Sequence, residues 1–128
     1  MNKFVLDLLI SPDEEGVKYP VFKLIINGYC SYDELCNYCE NNNLVAELNS
    51  LNIRIAQISQ GFRLPKEKFR QLKREKTDKI PDYEVKTKHL RVYIFKDSNN
   101  NIVAHWSTKK TQNKELNKFR NIKKSYFS

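Results

Sequence analysis

The apolar positions change their period several times along the chain, and each change marks an element. Lys3 to Ile10 alternates loosely between apolar and polar residues and reads as a strand. Ser11-Pro12-Asp13-Glu14-Glu15-Gly16 is a turn cluster. Val21–Ile26 is a second strand, closed by the hairpin dipeptide Asn27-Gly28. Ser31 then offers an N-cap, with Glu34 at the capping-box spacing, for a helix that ends in Asn41-Asn42-Asn43. From Leu44 to Gln60 the period becomes helical: Leu44, Leu48, Leu51, Ile55 and Ile58 recur at steps of three and four, and Gly61 follows as a C′ residue. Pro65 sits at an N1 position for a short basic helix over Lys66–Lys76, with Phe69 and Leu72 turned inward.

Alternation returns after Ile80-Pro81-Asp82. Tyr83–Lys86, Leu90–Phe95 and Ile102–Trp106 are rich in aromatic and β-branched residues and read as strands, the last two joined by the polar turn Asp97–Asn101. Asn113–Tyr126 closes the chain as a basic helix whose apolar side is Leu116, Phe119 and Ile122, continued by Phe127. Elements in blocks predict an α+β fold: a small antiparallel sheet, an N-terminal helical pair packed on it and a C-terminal basic helix. At 128 residues the chain has the length of one domain.

Composition adds little until charge is resolved along the chain. With 40% hydrophobic and 30% charged residues it has the balance of a globular protein. The first apolar run is interrupted by Asp7 and is far shorter than the roughly 20 residues a membrane span needs. No cleavage site follows it, so the expected location is the cytoplasm, with no membrane partner. The net charge is +8. Residues 1–60 hold four Lys/Arg against eight Asp/Glu, and residues 61–128 hold nineteen against seven. One half is therefore acidic and the other strongly basic, and a field so polarised draws polyanions. Of the three cysteines, Cys36 and Cys39 form C-x-x-C. With only Cys30 near them they fall one short of the four ligands of a structural zinc site and read as structural thiols.

The basic half also carries candidate chemistry. In Leu90–Phe95, the residues Leu90, Val92 and Ile94 share the face suited to a core. Arg91, Tyr93 and Phe95 share a face that can meet a ligand. Lys86 and Lys88 lead into this strand, His105 and Trp106 end the next, and Lys109-Lys110 follow. Cations neutralise phosphates and aromatic rings stack on unpaired bases, so this set suits a single-stranded nucleic acid. It also suits RNA cleavage without a metal or cofactor. Tyr93 or His105 can move protons, and Arg91, Lys109 or Lys110 can hold the charge of a pentavalent phosphorane. Lys86, Lys88, Trp106 and Arg120 are the expected RNA-binding residues. Each has a plain alternative: Arg91 as an ion-pair partner, His105 as a strand-end residue, Tyr93 and Trp106 as packing, the lysines as solvated surface. There is no acidic cluster for Mg²⁺ and no glycine-rich phosphate loop.

From about Leu44 to Lys124 these residues resemble the RelE/HigB-like toxins of bacterial toxin–antitoxin pairs, of the RelE/ParE superfamily. The likeness lies in the helical segment ending at Gly61, in Tyr83-Glu84-Val85-Lys86, in Leu90-Arg91-Val92-Tyr93-Ile94-Phe95, in Ile102-Val103-Ala104-His105-Trp106, and in Lys109-Lys110-Thr111-Gln112. Arg91 matches the family's strand arginine, His105 its histidine, and Lys109-Lys110 its lysine pair. Trp106-Ser107 stand where the family usually has Gly-Phe. Residues 1–40 do not match, and are expected to be an atypical extension of a single domain. The resemblance implies a ribosome-dependent mRNA endonuclease neutralised by a small cognate antitoxin. The alternatives are a non-catalytic member of the fold that binds RNA or protein, and a toxin directed at gyrase.

Overall fold

The computed structural model describes residues 1–128. Strands β1 (Phe4–Ile10) and β2 (Val21–Ile26) pair antiparallel, with Asp7 opposite Lys23. Asn27 and Gly28 then turn the chain with φ of 51° and 83°, a left-handed pair that asparagine and glycine adopt at least cost. The two-residue strand β3 (Tyr29–Cys30) folds back on β2 and leads into helices α1 (Ser31–Asn41) and α2 (Val45–Ser59). There follow β4 (Phe69–Gln71), β5 (Asp82–Lys86), β6 (Leu90–Asp97), β7 (Asn100–Thr108), a single 3-10 turn (Lys109–Thr111) and α3 (Gln112–Tyr126). The fold is α+β, with a seven-stranded sheet in the order β1-β2-β7-β6-β5-β4 and β3 paired to β2.

Several expectations are corrected. The sheet is mixed, not antiparallel: β2 runs parallel to β7, with Val21 opposite Asn101. A parallel pair needs a long crossover, and the helices and strands between β2 and β7 supply it. The helical pair is internal, since three strands precede it. Residues 1–40 contribute β1–β3 and most of α1, and β2 lies between β1 and β7. The stretch Lys66–Lys76 is not a helix. One turn forms, in which Pro65 O accepts from Lys68 N and Phe69 N, and the chain then leaves as β4. There Phe69 packs on the Tyr83 ring at 5.0 Å and Arg70 pairs with Glu84, contacts that a helix crowded with lysine and arginine does not offer. Ser31 is not a capping residue either. Cys30 occupies the N-cap, Ser31 Oγ is buried without a partner, and Glu34 accepts instead from Trp106 Nε1 at 3.0 Å.

The sheet is covered on both faces. Leu90, Val92 and Ile94 face the α1–α2 layer, as their alternation predicts, and join Leu35, Leu48, Leu51, Ile55 and Ile58 in one core. The opposite set, expected to lie open to a ligand, lies beneath α3: Tyr93 and Phe95 are fully buried, and Phe119 stacks on Tyr93 at 5.4 Å. The apolar stripe of α3, Leu116, Phe119 and Ile122, is joined there by Leu24, Ile102 and Ala104. No helix is long and apolar enough to cross a membrane.

Candidate nucleic-acid interface

Five of the six cations foreseen from sequence, Lys86, Lys88, Arg91, Lys109 and Lys110, lie at one end of the sheet, where β5 ends, β6 begins and β7 passes into α3. Register brings them there. Lys86 lies opposite Arg91, and Arg91 opposite Ser107. Lys109 N donates to His89 O at 2.8 Å, which ties the lysine pair to the β5–β6 turn bearing exposed Lys88. Lys86 N donates to Lys68 O, so Lys68 borders the same rim. Lys109, Lys110 and Lys114 line a shallow hollow with Thr111, Gln112 and Asn113, and its wall holds no acidic residue. Lys88, Lys109, Lys110 and Lys114 are exposed, Lys86 is half-buried, and Arg91 keeps 7% of its surface. Arg91 Nη1 donates to Thr87 O at 2.7 Å and Leu90 O at 2.8 Å. Its Nε is buried without a partner. Arg91 thus shapes the turn with one nitrogen and is almost wholly buried.

Beneath this rim is a polar floor that the sequence pattern did not reveal. Glu84 is fully buried and accepts from Arg70 Nε at 3.1 Å and Gln112 Nε2 at 2.9 Å, joining β4, β5 and the start of α3. Tyr93 Oη and Ser107 Oγ share a hydrogen bond of 2.8 Å beside it. Burial pushes the Tyr93 phenol up to about 12, so it stays protonated at neutral pH. The only sequence signal for the floor is that Glu84 is in phase with Lys86 on a strand. Arg70 was hidden by its placement on a helix.

The turn itself is held from the α2 side. Glu47 accepts from the Thr87 hydroxyl, from His89 N at 2.6 Å, and from His89 Nδ1 at 2.9 Å. Its side chain is 15% exposed and that of His89 57%. Burial raises the Glu47 carboxyl, but the hydrogen bonds from Thr87 and His89 outweigh it and hold it below its ordinary range. Arg54, also on α2, donates to Lys86 O.

The remaining candidates lie elsewhere. His105 lies beneath α3, with Nε2 3.3 Å from Glu115 Oε1 and its ring stacked near Tyr93. Burial lowers its pKa despite the Glu115 charge. Trp106 belongs to the opposite face, against Tyr38 at 4.9 Å. Arg120 is far along α3, where Nη2 donates to Lys73 O at 2.8 Å. Cys39 is fully buried and, by that burial, raised to about 11, whereas Cys30 and Cys36 are half-buried and also raised. No three His, Cys, Asp or Glu side chains converge as a metal site. No family model, curated protein or solved structure matches the chain.

Proposed function

We propose that the chain is a toxin-type endoribonuclease that cleaves mRNA on the ribosome without a metal and is neutralised by a cognate small antitoxin. The observation that carries this reading is the convergence of Lys86, Lys88, Arg91, Lys109 and Lys110 on one rim. Phosphate oxygens bind such a rim by charge neutralisation. Preorganised cations also stabilise the extra charge of a phosphorane, which forms when a ribose 2′-hydroxyl attacks its own phosphate. Tyr93 enters this reading as floor: its ring and hydroxyl fix Ser107 and the start of α3 under the rim.

The test uses purified protein with mRNA-programmed ribosomes. Cleavage is expected to leave a 2′,3′-cyclic phosphate and a 5′-hydroxyl. Lys109→Ala with Lys110→Ala is expected to lower the rate by about tenfold or more at unchanged melting temperature, since surface substitutions alter stability by only about 0.5 kcal/mol. Expression without an antitoxin is expected to arrest growth. Intact mRNA after incubation with folded protein, together with harmless expression, would overturn the reading.

One observation favours a second reading, a non-catalytic RNA-binding member of the same fold. Both proton carriers expected from sequence, Tyr93 and His105, lie under α3, with Tyr93 fully buried and the His105 side chain 13% exposed. Salt-dependent binding of single-stranded RNA without cleavage is its signature.

A further inference from the structure

The burial of Tyr93 and His105 leaves the cationic rim without an obvious group to take a proton, yet one side chain at the rim is built for it. His89 is exposed, sits between Lys88 and Leu90 in the β5–β6 turn, and accepts the Lys109 amide at its own carbonyl. Its Nδ1 is 2.9 Å from Glu47 Oε2. A carboxylate can only accept, so Nδ1 carries the hydrogen, and in the neutral ring the lone pair is then on Nε2, which has no partner in the protein. Glu47 is itself fixed by the Thr87 hydroxyl and the His89 amide. A carboxylate that orients an imidazole, whose other nitrogen is open beside cations, is the arrangement of a general base.

We infer that His89 is the general base of RNA cleavage and that Glu47 is its positioning residue; the inference rests on the endoribonuclease reading above. His89 Nε2 takes the proton of the ribose 2′-hydroxyl. The O2′ electron pair forms a bond to the adjacent phosphorus, and the P–O5′ bond breaks. The 5′-oxygen leaves with a proton from water at this exposed rim, and the resulting hydroxide recovers the proton held on His89. Lys88 precedes His89 in the chain, the Lys109 amide meets the His89 carbonyl, and Lys110 follows Lys109, so the cations that would balance the phosphorane charge belong to the same turn as the base. The charged groups of this turn are Glu47 from α2, which meets the His89 ring, Lys88 next to it in the chain, Arg91 from β6, whose Nη1 reaches Thr87 O, and Lys109, whose amide meets the His89 carbonyl, with Lys110 next in the chain.

A merely structural role for the same contacts is the competing account, because Glu47 also clamps the turn through Thr87 and the His89 amide. The two accounts separate in the full-length protein with programmed ribosomes. His89→Ala keeps the amide contact and loses the ring. It is expected to lower turnover at saturating mRNA on the order of a hundred- to ten-thousandfold. RNA affinity and melting temperature should hold, and added imidazole should restore part of the rate. Glu47→Gln is expected to lower turnover less and to displace the pH profile. Wild-type turnover in folded His89→Ala would overturn the inference while leaving the endoribonuclease reading in place. So would a variant whose only defect is weaker RNA binding with no imidazole rescue. A wild-type protein that binds RNA and never cleaves it removes both.

Discussion

The two faces of the sheet are built from different materials. Toward α1 and α2 the interior is mainly aliphatic, with no buried charge: Leu48, Leu51, Ile55 and Ile58 meet Val85, Leu90, Val92 and Ile94, and the buried polar residues of the two helices are Ser31 and Ser59. Toward α3 the interior is aromatic and holds charge. Glu84 and Asp82 are buried on β5, Arg91 on β6 and Lys123 on α3, around Tyr93, Phe95 and Phe119. A hydrophobic face holds a fold by area alone and tolerates no particular geometry beyond packing. A buried polar face is held by hydrogen bonds and ion pairs that need particular geometry, so it also fixes direction. The side that carries the cationic rim is the side whose residues are held by direction.

That contrast ranks the expected effects of substitution. The largest belongs to Lys123, whose Nζ donates to Asp78 Oδ2 at 2.7 Å, Asp82 Oδ2 at 2.9 Å and Ile80 O at 2.5 Å. Its side chain is 4% exposed and that of Asp82 2%. Lys123→Ala strands the Asp82 carboxylate in the interior and should cost about 3–5 kcal/mol in denaturant unfolding. Replacing both partners by apolar residues, Lys123→Met with Asp82→Leu, should recover most of that loss. If the single variant is nearly neutral, the α3 face is not held by its charges.

On the aliphatic face the matching probe is Leu51→Ala. Leu51 is fully buried among the helix and strand side chains, and its truncation should cost about 2–5 kcal/mol by lost transfer and a residual cavity. No second substitution of a polar partner can rescue it, since none exists. Rescue by enlarging a neighbour, and no rescue by altering charge, is the result that keeps the two faces distinct.

Much of this architecture was legible in the chain. The period-two pattern of β6 and the three- and four-residue step of α2 place Leu90, Val92, Ile94 and Leu48–Ile58 in contact, as they are found. The Asn27-Gly28 turn and Gly61 were marked by residues that positive φ favours. Local signals were less informative where the answer depends on partners distant in sequence. Phe69 and Leu72 have helical spacing, but Tyr83 and Glu84 draw that segment into a strand. Alternation on β6 shows that Arg91, Tyr93 and Phe95 share a face, yet nothing local tells that α3 returns to cover it. The rim lysines were visible as a charge run. The Glu47–His89 contact was not, because the two residues are 42 positions apart and neither belongs to a recognisable spacing.

A smaller effect tests the polar floor. Glu84 receives one bond from Arg70 and one from Gln112, so Glu84→Gln keeps the shape and removes the charge. The loss of a charge-assisted bond should cost about 1.5–3 kcal/mol. The start of α3 should loosen as well, read as faster amide exchange over Gln112–Leu116. Unchanged exchange there would mean that the floor does not anchor the lysine turn.

The smallest effect is at the margin where α2 reaches the basic end, and pH reveals it. The folded-state pKa of Glu47 lies below its ordinary value of 4.5, because the Thr87 and His89 hydrogen bonds favour the charged form by more than burial disfavours it. Above the unfolded pKa both states are ionised and the full stabilisation is present. As pH falls through the ordinary value toward the folded one, the unfolded chain takes up the proton first, and stability declines. Glu47→Gln should therefore cost about 1 kcal/mol at neutral pH and flatten the acid limb of the stability curve below about pH 4.5. His105 acts in a higher window with the same sign. Burial depresses its pKa, so the unfolded state binds the extra proton and stability declines as pH drops below about 6.5. Chemical denaturation at a series of pH values separates the two, since Glu47→Gln should leave the upper step untouched. A variant whose curve runs parallel to the wild type through the acid range would show that the turn is held by backbone contacts and not by the Glu47 charge.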